Sequence, residues 1–343
     1  MSTSAPSPEQ SQRIRVGLLG CGTVGSAVAR ELLARTDIEL VHVAVRDPSK
    51  PRPVALDPGL LTTDALGVAL EPDVDLIVEA IGGVSPTIDF VSAALLSGKP
   101  VVTANKELLA SPCGSSVFEI AERSGAPLFY EGAVGGGVPI VRALETSLRG
   151  DRVLSIQGVL NGTTNYILDR LSQGTSFDEA LLAARSAGFA EEDPAADISG
   201  RDAAAKITLL GSVAFGQRVT IDQVETQGIE DICTETLSQA RTRGNSIKLV
   251  ATATRSSRGI TLSVAPVELP GDDVLARVRA EENAIVIDTE LAGRLVFSGP
   301  GAGGPPTSSA VMGDVLAAVA YLDERLPRKR RDTLRPLHKA VAV

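Results

Sequence analysis

The stretch that decides the fold is residues 13–33, RIRVGLLGCGTVGSAVARELL. It begins as a short apolar strand, passes through the glycine pattern G-x-G-x-x-G at 20–25, and continues with helical periodicity. Glycines at these positions let the backbone turn sharply and approach a pyrophosphate, whose charge then meets the helix N-terminus. The context predicts a Rossmann-type dinucleotide-binding unit, with cofactor contacts from Gly20, Gly22, Thr23, Val24 and Gly25.

The second predicted strand, 39–45, indicates which dinucleotide is bound. An NAD-specific fold usually has an acid at the end of this strand to bind the ribose hydroxyls. This chain has Arg46 there, with Lys50 close behind. A guanidinium can pair with a 2′-phosphate, so we expect NADP to be preferred. Asp47 is adjacent and could serve NAD, which leaves NAD open as the alternative.

Further strand–helix units extend the predicted parallel sheet. A strand at 75–80 ends in glycines, and a strand at 100–103 is followed by Asn105 and Lys106. Polar groups at the carboxyl ends of parallel strands face the ligand crevice. We therefore expect Gly82, Thr103, Asn105 and Lys106 to lie near the cofactor, although a lysine at this place is equally well a surface residue at a helix start.

The stretch 188–206, GFAEEDPAADISGRDAAAK, holds the candidate chemistry of the chain. Asp202 lies four residues before Lys206, so on a helix the two side chains share a face and can touch. By itself such a pair is usually a surface feature. Pro194 disfavours helix just before it. We therefore expect Glu191 and Asp197 on a folded loop that leads into the helix.

Two other segments are candidates for binding. Residues 131–139, EGAVGGGVP, form either a flexible linker or a site for a hard cation, made of carbonyl oxygens and Glu131. Residues 161–165, NGTTN, offer hydroxyls and free backbone N–H groups at a helix start, which is a cradle for a carboxylate. A third glycine-rich loop, 299–307, precedes a helix at 308–321 that could return to complete the first domain.

Length and composition limit the function further. A chain of 343 residues is long enough for two domains with their own cores. With 43% hydrophobic and 22% charged residues and no apolar run near ~20 residues, the composition predicts a soluble protein without membrane partners. A net charge of −9 disfavours nucleic acid. Three scattered cysteines and two histidines argue against a disulfide scaffold or zinc site and predict a cytoplasmic location.

The predicted fold class is α/β: an N-terminal Rossmann domain plus an α+β domain for catalysis and dimerisation with a mixed sheet. The expected boundaries are 13–132 together with 299–322 for the first domain and 133–298 for the second. Residues 1–12 are expected to be a disordered leader, and 323–343 a basic tail that is a solvated charge run. The second domain is expected to open with a helix at 140–148. Strands are expected near 247–254 and 261–267, followed by an antiparallel pair at 283–289 and 291–298, and such a sheet would suit a subunit interface.

In combination these motifs closely resemble homoserine dehydrogenase. The matching runs are GLLGCGTVG at 17–25, ANK at 104–106, EGAVGGGVP at 131–139, NGTTNYI at 161–167, all of 188–206, and GPGAGG at 299–304. The resemblance covers about residues 13–322. It implies the NAD(P)-dependent interconversion of L-homoserine and L-aspartate 4-semialdehyde, a step toward threonine, methionine and isoleucine, usually carried out by a homodimer.

The resemblance also implies roles for single residues. Lys206 looks like the catalytic lysine that exchanges a proton with the C4 oxygen as hydride moves, and Lys106 looks like its assisting lysine. The residues that resemble the substrate-binding set are Glu191, Asp197, Asp202, Asn161, Gly162 and Thr163. The residues that resemble a monovalent cation site, for sodium or potassium, are Glu131, Val134, Gly136 and Val138. The loop with Gly301 resembles the one that covers the cofactor.

One departure and two alternatives accompany this resemblance. Many family members continue into a regulatory domain, whereas about twenty residues follow Tyr321. We therefore expect a short form with weak or absent threonine feedback, which an assay with excess threonine would test. A phosphorylating semialdehyde dehydrogenase would need a thiolate, usually just before Thr-Thr-Asn, where this chain has Gly162. A non-catalytic NAD(P)H sensor would not need the Asp202–Lys206 pair.

Overall fold

The computed structural model describes residues 13–190 and 192–325. The expected leader at 1–12, most of the expected tail and Glu191 lie outside the described residues. Within those ranges the strands are β1 Ile14–Leu19, β2 Ile38–Ala44, β3 Leu61–Thr62, β4 Leu76–Glu79, β5 Val101–Thr103, β6 Leu128–Phe129, β7 Val153–Val159, β8 Val224–Thr226, β9 Ser246–Ser256, β10 Gly259–Leu269, β11 Glu282–Thr289 and β12 Arg294–Pro300.

The helices alternate with these strands in the first half and cluster in the second. They are α1 Thr23–Leu33, α2 Ala65–Leu70, α3 Thr87–Leu96, α4 Lys106–Ala110, α5 Gly114–Ser124, α6 Gly162–Leu171, α7 Phe177–Ser186, α8 Ala195–Ile198, α9 Arg201–Phe215, α10 Thr234–Thr242 and α11 Gly304–Arg325. Among the described helices, none is both long enough and apolar enough to cross a membrane.

The first sheet is parallel throughout and has the strand order β3-β2-β1-β4-β5-β6. Apolar residues of β1 are buried because helices cover both faces of the sheet, as parallel sheets require. The order reverses between β1 and β4, and ligands of open α/β sheets bind in the crevice outside the strand ends at such a reversal. The predicted Rossmann unit is confirmed.

The second sheet is mixed and has the order β12-β11-β7-β9-β10-β8. Its neighbouring strands are antiparallel except for the parallel pair β10–β8. The buried helix α9 packs on β7, β9 and β10 of this sheet, and it also contacts α4 from the first half of the chain. The predicted combination of a parallel sheet and a second, mixed sheet is therefore confirmed.

Helix α11 returns from the second half of the chain to the first sheet. It packs against α1 and contributes Val311, Val315 and Ala318 to the core formed by β1 and β2. Asp314 on the same helix accepts a hydrogen bond from the backbone N–H of Glu131 at 2.7 Å. The helix expected at 308–321 is thus present, and it begins earlier, at Gly304, because proline is tolerated in the first turn.

Two elements differ from the sequence prediction. The helix expected at 140–148 is a π-helix over Ala143–Ser147, with the Leu148 N–H donating to the Ala143 carbonyl at 2.8 Å. The strand expected from 291 begins at Arg294, because Thr289 and Gly293 close a tight turn with an N–H to carbonyl distance of 2.9 Å. Gly293 has φ +73°, which glycine adopts without steric cost.

Candidate active site

Asp202 and Lys206 form a buried ion pair in α9. Gly200 precedes the helix at φ +79°, a left-handed conformation suited to glycine. One turn further, Lys206 Nζ lies 2.7 Å from Asp202 Oδ2, and the two side chains are only 9% and 10% exposed. Removing one partner of a buried ion pair is strongly destabilising, whereas a surface pair contributes little to stability. The Asp202–Lys206 pair is therefore a buried ion pair and not the solvent-exposed one that its spacing alone would suggest.

Lys106 reaches the same carboxylate from the first sheet. It begins α4 just after β5, where Asn105 caps the helix by accepting a hydrogen bond from Leu108 N–H at 3.0 Å. Lys106 Nζ lies 3.2 Å from Asp202 Oδ1. The Asp202 charge raises the pKa of Lys106 against the opposing effect of burial. Each oxygen of Asp202 therefore holds one lysine, and the two lysines come from opposite halves of the chain.

Asn161 ties the acidic residues together at the start of α6. Its Oδ1 accepts from Thr164 N–H at 2.8 Å, which caps the helix. Its Nδ2 donates to Asp197 Oδ1 at 2.7 Å and to Asp202 Oδ2 at 2.8 Å. The carbonyl of the preceding residue, Leu160, accepts from Lys206 Nζ at 2.6 Å. The Leu160–Asn161 junction thus contacts the lysine and both carboxylates.

The pKa values of Asp202 and Asp197 are shifted in opposite directions. Burial would raise the pKa of Asp202, but the charges of Lys206 and Lys106 outweigh it and hold that pKa well below its usual range. Burial raises the pKa of Asp197, only partly offset by the hydrogen bond from Asn161. Asp202 is therefore a fixed negative charge between two lysines, with a less acidic carboxyl beside it.

The other residues of the expected cradle are used inside the protein. Thr163 Oγ1 donates to the Phe189 carbonyl at 2.6 Å, which fastens α6 to the loop before the acidic stretch. Gly162 packs against the backbone of Glu281, where an added Cβ would come within 2.8 Å of the Glu281 Cα. Glycine is required there because two backbones meet.

The glycine turn after β1 fits a dinucleotide. A Cβ at Gly20 would lie 2.6 Å from the Ala80 carbonyl oxygen, and one at Gly25 would lie 2.2 Å from the Gly20 carbonyl oxygen. These two glycines let strand, turn and helix pack closely. Nothing lies within 4 Å of a Cβ built at Gly22, which therefore faces open space at the N-terminus of α1. Open space beside unpaired helix N–H groups is what a pyrophosphate needs.

A buried carboxylate organises the neighbouring strand ends. Glu79 Oε1 accepts from the N–H groups of Ile81 and Gly82 at 2.7 and 3.0 Å, and Oε2 accepts from the Thr103 hydroxyl. Burial raises the pKa of Glu79. Thr103 Oγ1 in turn accepts from Asn105 N–H at 3.0 Å. The predicted cofactor residues Gly82, Thr103 and Asn105 are therefore linked by one carboxylate that the sequence analysis did not single out.

The loop after β2 carries the basic residues expected at a 2′-phosphate. Arg46 and Lys50 are exposed. Asp47 Oδ1 accepts from both the N–H and the hydroxyl of Ser49, at 2.9 and 2.7 Å. Arg52 donates to backbone carbonyls of the same loop, including that of Lys50 at 2.7 Å. The adjacent acid is thus engaged within its own turn.

The Glu131 carboxylate is surrounded by backbone donors. Oε1 accepts from the N–H groups of Ile140 and Val141 at 2.7 and 2.8 Å, and Oε2 accepts from Arg142 N–H at 2.8 Å. The described residues contain no cluster of acidic, histidine or cysteine side chains able to hold a metal. Val134 and Val138 are buried in the same loop, and Gly136 packs against the backbone of Gly301. This segment therefore meets the glycine-rich loop expected over the cofactor.

Sequence reasoning missed three polar residues next to this site. They are Glu79 in β4, Lys248 in β9 and Asn283 in β11, all at most 1% exposed. The signal that could have found two of them is a charged residue inside an otherwise apolar strand, which is rarely buried unless it is paired. Asn283 gives no such signal.

Comparison with known proteins agrees with this geometry. A family model described as homoserine dehydrogenase matches residues 139–316, and another described as the homoserine dehydrogenase NAD binding domain matches residues 20–131. The homoserine dehydrogenase of Corynebacterium glutamicum is 43% identical over 337 residues, which cover 92% of this chain and 75% of that protein.

Solved structures give the same result. A homoserine dehydrogenase from Thiobacillus denitrificans superposes with a TM-score of 0.84 at 36% identity, covering 96% of this chain and 76% of that one. A hyperthermophilic archaeal homoserine dehydrogenase mutant in complex with NADPH superposes with a TM-score of 0.76 at 26% identity, covering 92% and 99%. These similarities span both sheets and the segments that contain Lys106, Asp202 and Lys206, and the chain belongs to the homoserine dehydrogenase family.

Proposed function

We propose that Lys206 is the proton donor and acceptor in the interconversion of L-homoserine and L-aspartate 4-semialdehyde by this chain. As a homoserine dehydrogenase the chain is an oxidoreductase with a nicotinamide cofactor, which supplies or takes the hydride when bound. The observation that carries the proposal is the count of donors on Lys206. An ammonium has three N–H groups, and within the described part of the chain Asp202 and the Leu160 carbonyl take two. The third is left for the substrate oxygen.

This arrangement supplies what aldehyde reduction needs. An alkoxide that develops at C4 requires a nearby positive charge and a proton, and Lys206 offers both. Lys106 adds a second positive charge held by the same carboxylate at 3.2 Å. In the opposite direction Lys206 in its neutral form takes the hydroxyl proton of homoserine. Asp202 keeps both lysines in place and remains ionised because its pKa is so low.

We assign the substrate ammonium to the neighbouring acidic residues. Asp197 is held by Asn161 at 2.7 Å, so the carboxyl is oriented before substrate arrives. Glu191 joins this set on the family resemblance alone, since it lies outside the described residues. Gly162 and Thr163 shape the start of α6, and a helix N-terminus suits the substrate carboxylate. This division gives each charged group of the amino acid its own partner.

We propose that NADP is preferred over NAD. Arg46 and Lys50 stand exposed after β2, while Asp47 is engaged with Ser49 and is poorly placed to bind ribose hydroxyls. The archaeal relative's complex with NADPH supports the same choice. The test is the ratio of kcat/KM with NADP and NAD in wild type and Arg46→Ala. We expect the NADP preference to fall by about tenfold or more, since a guanidinium–phosphate pair is charge-assisted. An unchanged ratio would contradict the assignment.

We further propose a monovalent cation site, a homodimer and the division into units 13–132 with 299–322 and 133–298. Because backbone donors occupy the Glu131 carboxylate, sodium or potassium would be held by the carbonyls of Glu131, Val134, Gly136 and Val138. Leu154 and Val296 on the second sheet are 39% and 46% exposed, and Leu291 in the turn between β11 and β12 is 81% exposed, which favours a subunit contact there. Activity across chloride salts of both cations, and light scattering of the purified protein, test the first two proposals.

The decisive experiment follows NADP⁺ reduction with L-homoserine in wild type and Lys206→Ala. We expect robust activity in wild type and a loss of about a hundredfold or more in the variant, the scale of general acid–base catalysis. NADPH binding should be unchanged, which shows that the variant is folded. Equal activity in both proteins would move proton transfer to another group. Cofactor binding by wild type without turnover of homoserine in either direction would instead favour the non-catalytic sensor.

A further inference from the structure

A short segment, 278–283, lies between the catalytic lysine and the loop expected over the cofactor. We call it the bridging segment. It follows a 3₁₀ turn at Leu275–Arg277 and enters β11. Its backbone meets helix α6 on one side and Gly301 on the other. Because it contacts both halves of the reaction site, its position affects how they are aligned.

Lys248 fastens the first end of the bridging segment. It is fully buried in β9, and its ammonium donates to three acceptors: Asn165 Oδ1 at 2.6 Å, Asp169 Oδ1 at 2.7 Å and the Val278 carbonyl at 2.8 Å. The first two acceptors belong to α6 and the third to the bridging segment. One buried charge therefore clamps the segment to the helix whose first turn contains Asn161.

The backbone next to this clamp is strained. Ala280 has φ +50°, the one positive φ of a non-glycine residue within the described ranges. Non-glycine residues in this region are uncommon and persist only where surrounding contacts impose the conformation. The contact that does so is Asn165, whose Nδ2 donates to the Ala280 carbonyl at 3.0 Å. Asn165 is itself held by Lys248, so the clamp and the strain are coupled.

The second end of the segment touches the reaction site directly. The Glu281 carbonyl accepts from Gly301 N–H at 3.2 Å, and the Glu281 backbone packs against Gly162. Asn283 Nδ2 donates at 3.2 Å to the Leu160 carbonyl, the same carbonyl that holds Lys206 Nζ. A Cβ at Gly301 would fall 2.1 Å from the Asn283 amide, so the two groups are in close contact.

We propose that Lys248 is a positioning residue for hydride transfer. By clamping the bridging segment to α6, it fixes the position of the cofactor-covering loop relative to Lys206. The inference rests on the proposed function, because it takes Lys206 as the proton-transfer group and the 299–304 loop as the cofactor cover. Lys248 is fully buried and gives its three N–H groups to protein acceptors. It acts through the Val278 and Ala280 carbonyls, then Glu281 and Asn283.

The test compares Lys248→Met with Lys99→Met. Methionine fills similar volume without the ammonium. Lys99 is the matched control, since it is also buried and donates to two carbonyls, those of Ala69 and Glu71 at 3.0 and 2.5 Å, away from the site. Both variants should unfold at lower temperature than wild type. Only Lys248→Met should lose kcat, by about tenfold to a hundredfold, because small misplacements of reacting groups are costly.

Two further readouts separate positioning from general destabilisation. NADPH dissociation constants, measured by fluorescence well below the unfolding temperature, should rise several-fold in Lys248→Met and stay at the wild-type value in Lys99→Met. Adding Ala280→Gly to Lys248→Met should recover part of kcat, since glycine adopts φ +50° without strain and lets the segment keep its conformation. If Lys248 had only a structural role, adding Ala280→Gly to Lys248→Met would raise the unfolding temperature of that variant and leave its kcat unchanged.

The outcomes are distinct. Wild-type kcat and NADPH affinity in folded Lys248→Met would overturn the proposal while leaving the reaction intact. Absence of homoserine turnover in wild type would instead sink the proposed function. If Lys248→Met does not fold, Asn165→Ser replaces it, because serine is too short to join Lys248 to the Ala280 carbonyl. We expect a kcat loss of about threefold to tenfold there, and wild-type kinetics in that variant would also overturn the proposal.

Discussion

Lys206 and Lys248 are both buried lysines paired with a carboxylate, yet their surroundings differ in two respects. Lys248 is fully buried and gives all three of its N–H groups to protein acceptors. Lys206 is 9% exposed and, among residues 13–190 and 192–325, gives two, to Asp202 and to the Leu160 carbonyl. Their carboxylates differ too, because Asp202 serves a second lysine and Asp169 does not.

The difference separates a lysine that can exchange a proton with a ligand, the role proposed for Lys206, from one that can act only by positioning other groups, the role proposed for Lys248. A lysine with every donor satisfied cannot offer a proton to a ligand without breaking a buried hydrogen bond, which is expensive. A lysine with one N–H group not bonded to protein can offer that proton to a ligand, provided that a carboxylate fixes its position. Burial lowers the pKa of Lys248, whereas the shared carboxylate raises the pKa of Lys106. The shared carboxylate thus favours the charged form of Lys106.

The largest predicted effect comes from neutralising each carboxylate in turn. Asp202→Asn leaves two lysine charges without their counter-ion, so we expect kcat/KM for homoserine to fall by about a hundredfold or more. Asp169→Asn leaves Lys248 with its two other acceptors. We expect it to cost about 2 kcal/mol of unfolding free energy and no more than a few-fold in kcat. Steady-state kinetics and urea unfolding of both variants measure the contrast. Similar kinetic losses in the two would erase the distinction.

A smaller effect is expected for the assisting lysine. Lys106 is 33% exposed and touches Asp202 at 3.2 Å, a longer contact than the 2.7 Å of Lys206. Lys106→Met should lower kcat by about tenfold, which corresponds to ~1.4 kcal/mol of barrier. The Lys206→Met variant measured beside it should lose considerably more. A reversed order would make Lys106 the proton-transfer group and Lys206 its support.

The smallest expected effect lies in the acid stability. The pKa of Asp202 is lowered in the folded protein, so the unfolded chain binds more protons as the pH falls. The stability from Asp202 is therefore complete above its ordinary pKa of 3.8 and is lost as the pH falls toward the lower folded value. Asp202→Asn should reduce the slope of unfolding free energy against pH below about pH 4. Identical slopes in urea titrations of both proteins would contradict the lowered pKa.

Much of the fold, and the grouping of Lys106, Asp202 and Lys206, could be predicted from the sequence, because short sequence patterns indicate these features. The glycine turn at 20–25 stands between a strand and a helix, and the spacing of Asp202 and Lys206 places them on one helical face. Lys106 and Asn105 follow a strand end, where polar residues of parallel sheets meet ligands.

The remaining features depend on contacts between distant parts of the chain. Nothing near Lys248 in the sequence indicates that Asn165 and Val278 will surround its ammonium. The expected carboxylate cradle at Asn161 and Thr163 uses both side chains for internal bonds, to Asp197 and to the Phe189 carbonyl, and these partners could not be deduced from spacing. The positive φ of Ala280 has no local sequence signal, since alanine does not favour it.

The return of α11 to the first sheet has a consequence for synthesis on the ribosome. The hydrophobic layer under β1 includes Val311, Val315 and Ala318, which are translated after every strand of both sheets. The nucleotide-binding half therefore emerges early but cannot close its apolar interior until the last described helix is made. Until then the apolar residues that α11 covers stay exposed in the nascent chain, and exposed hydrophobic surface of this kind favours chaperone binding.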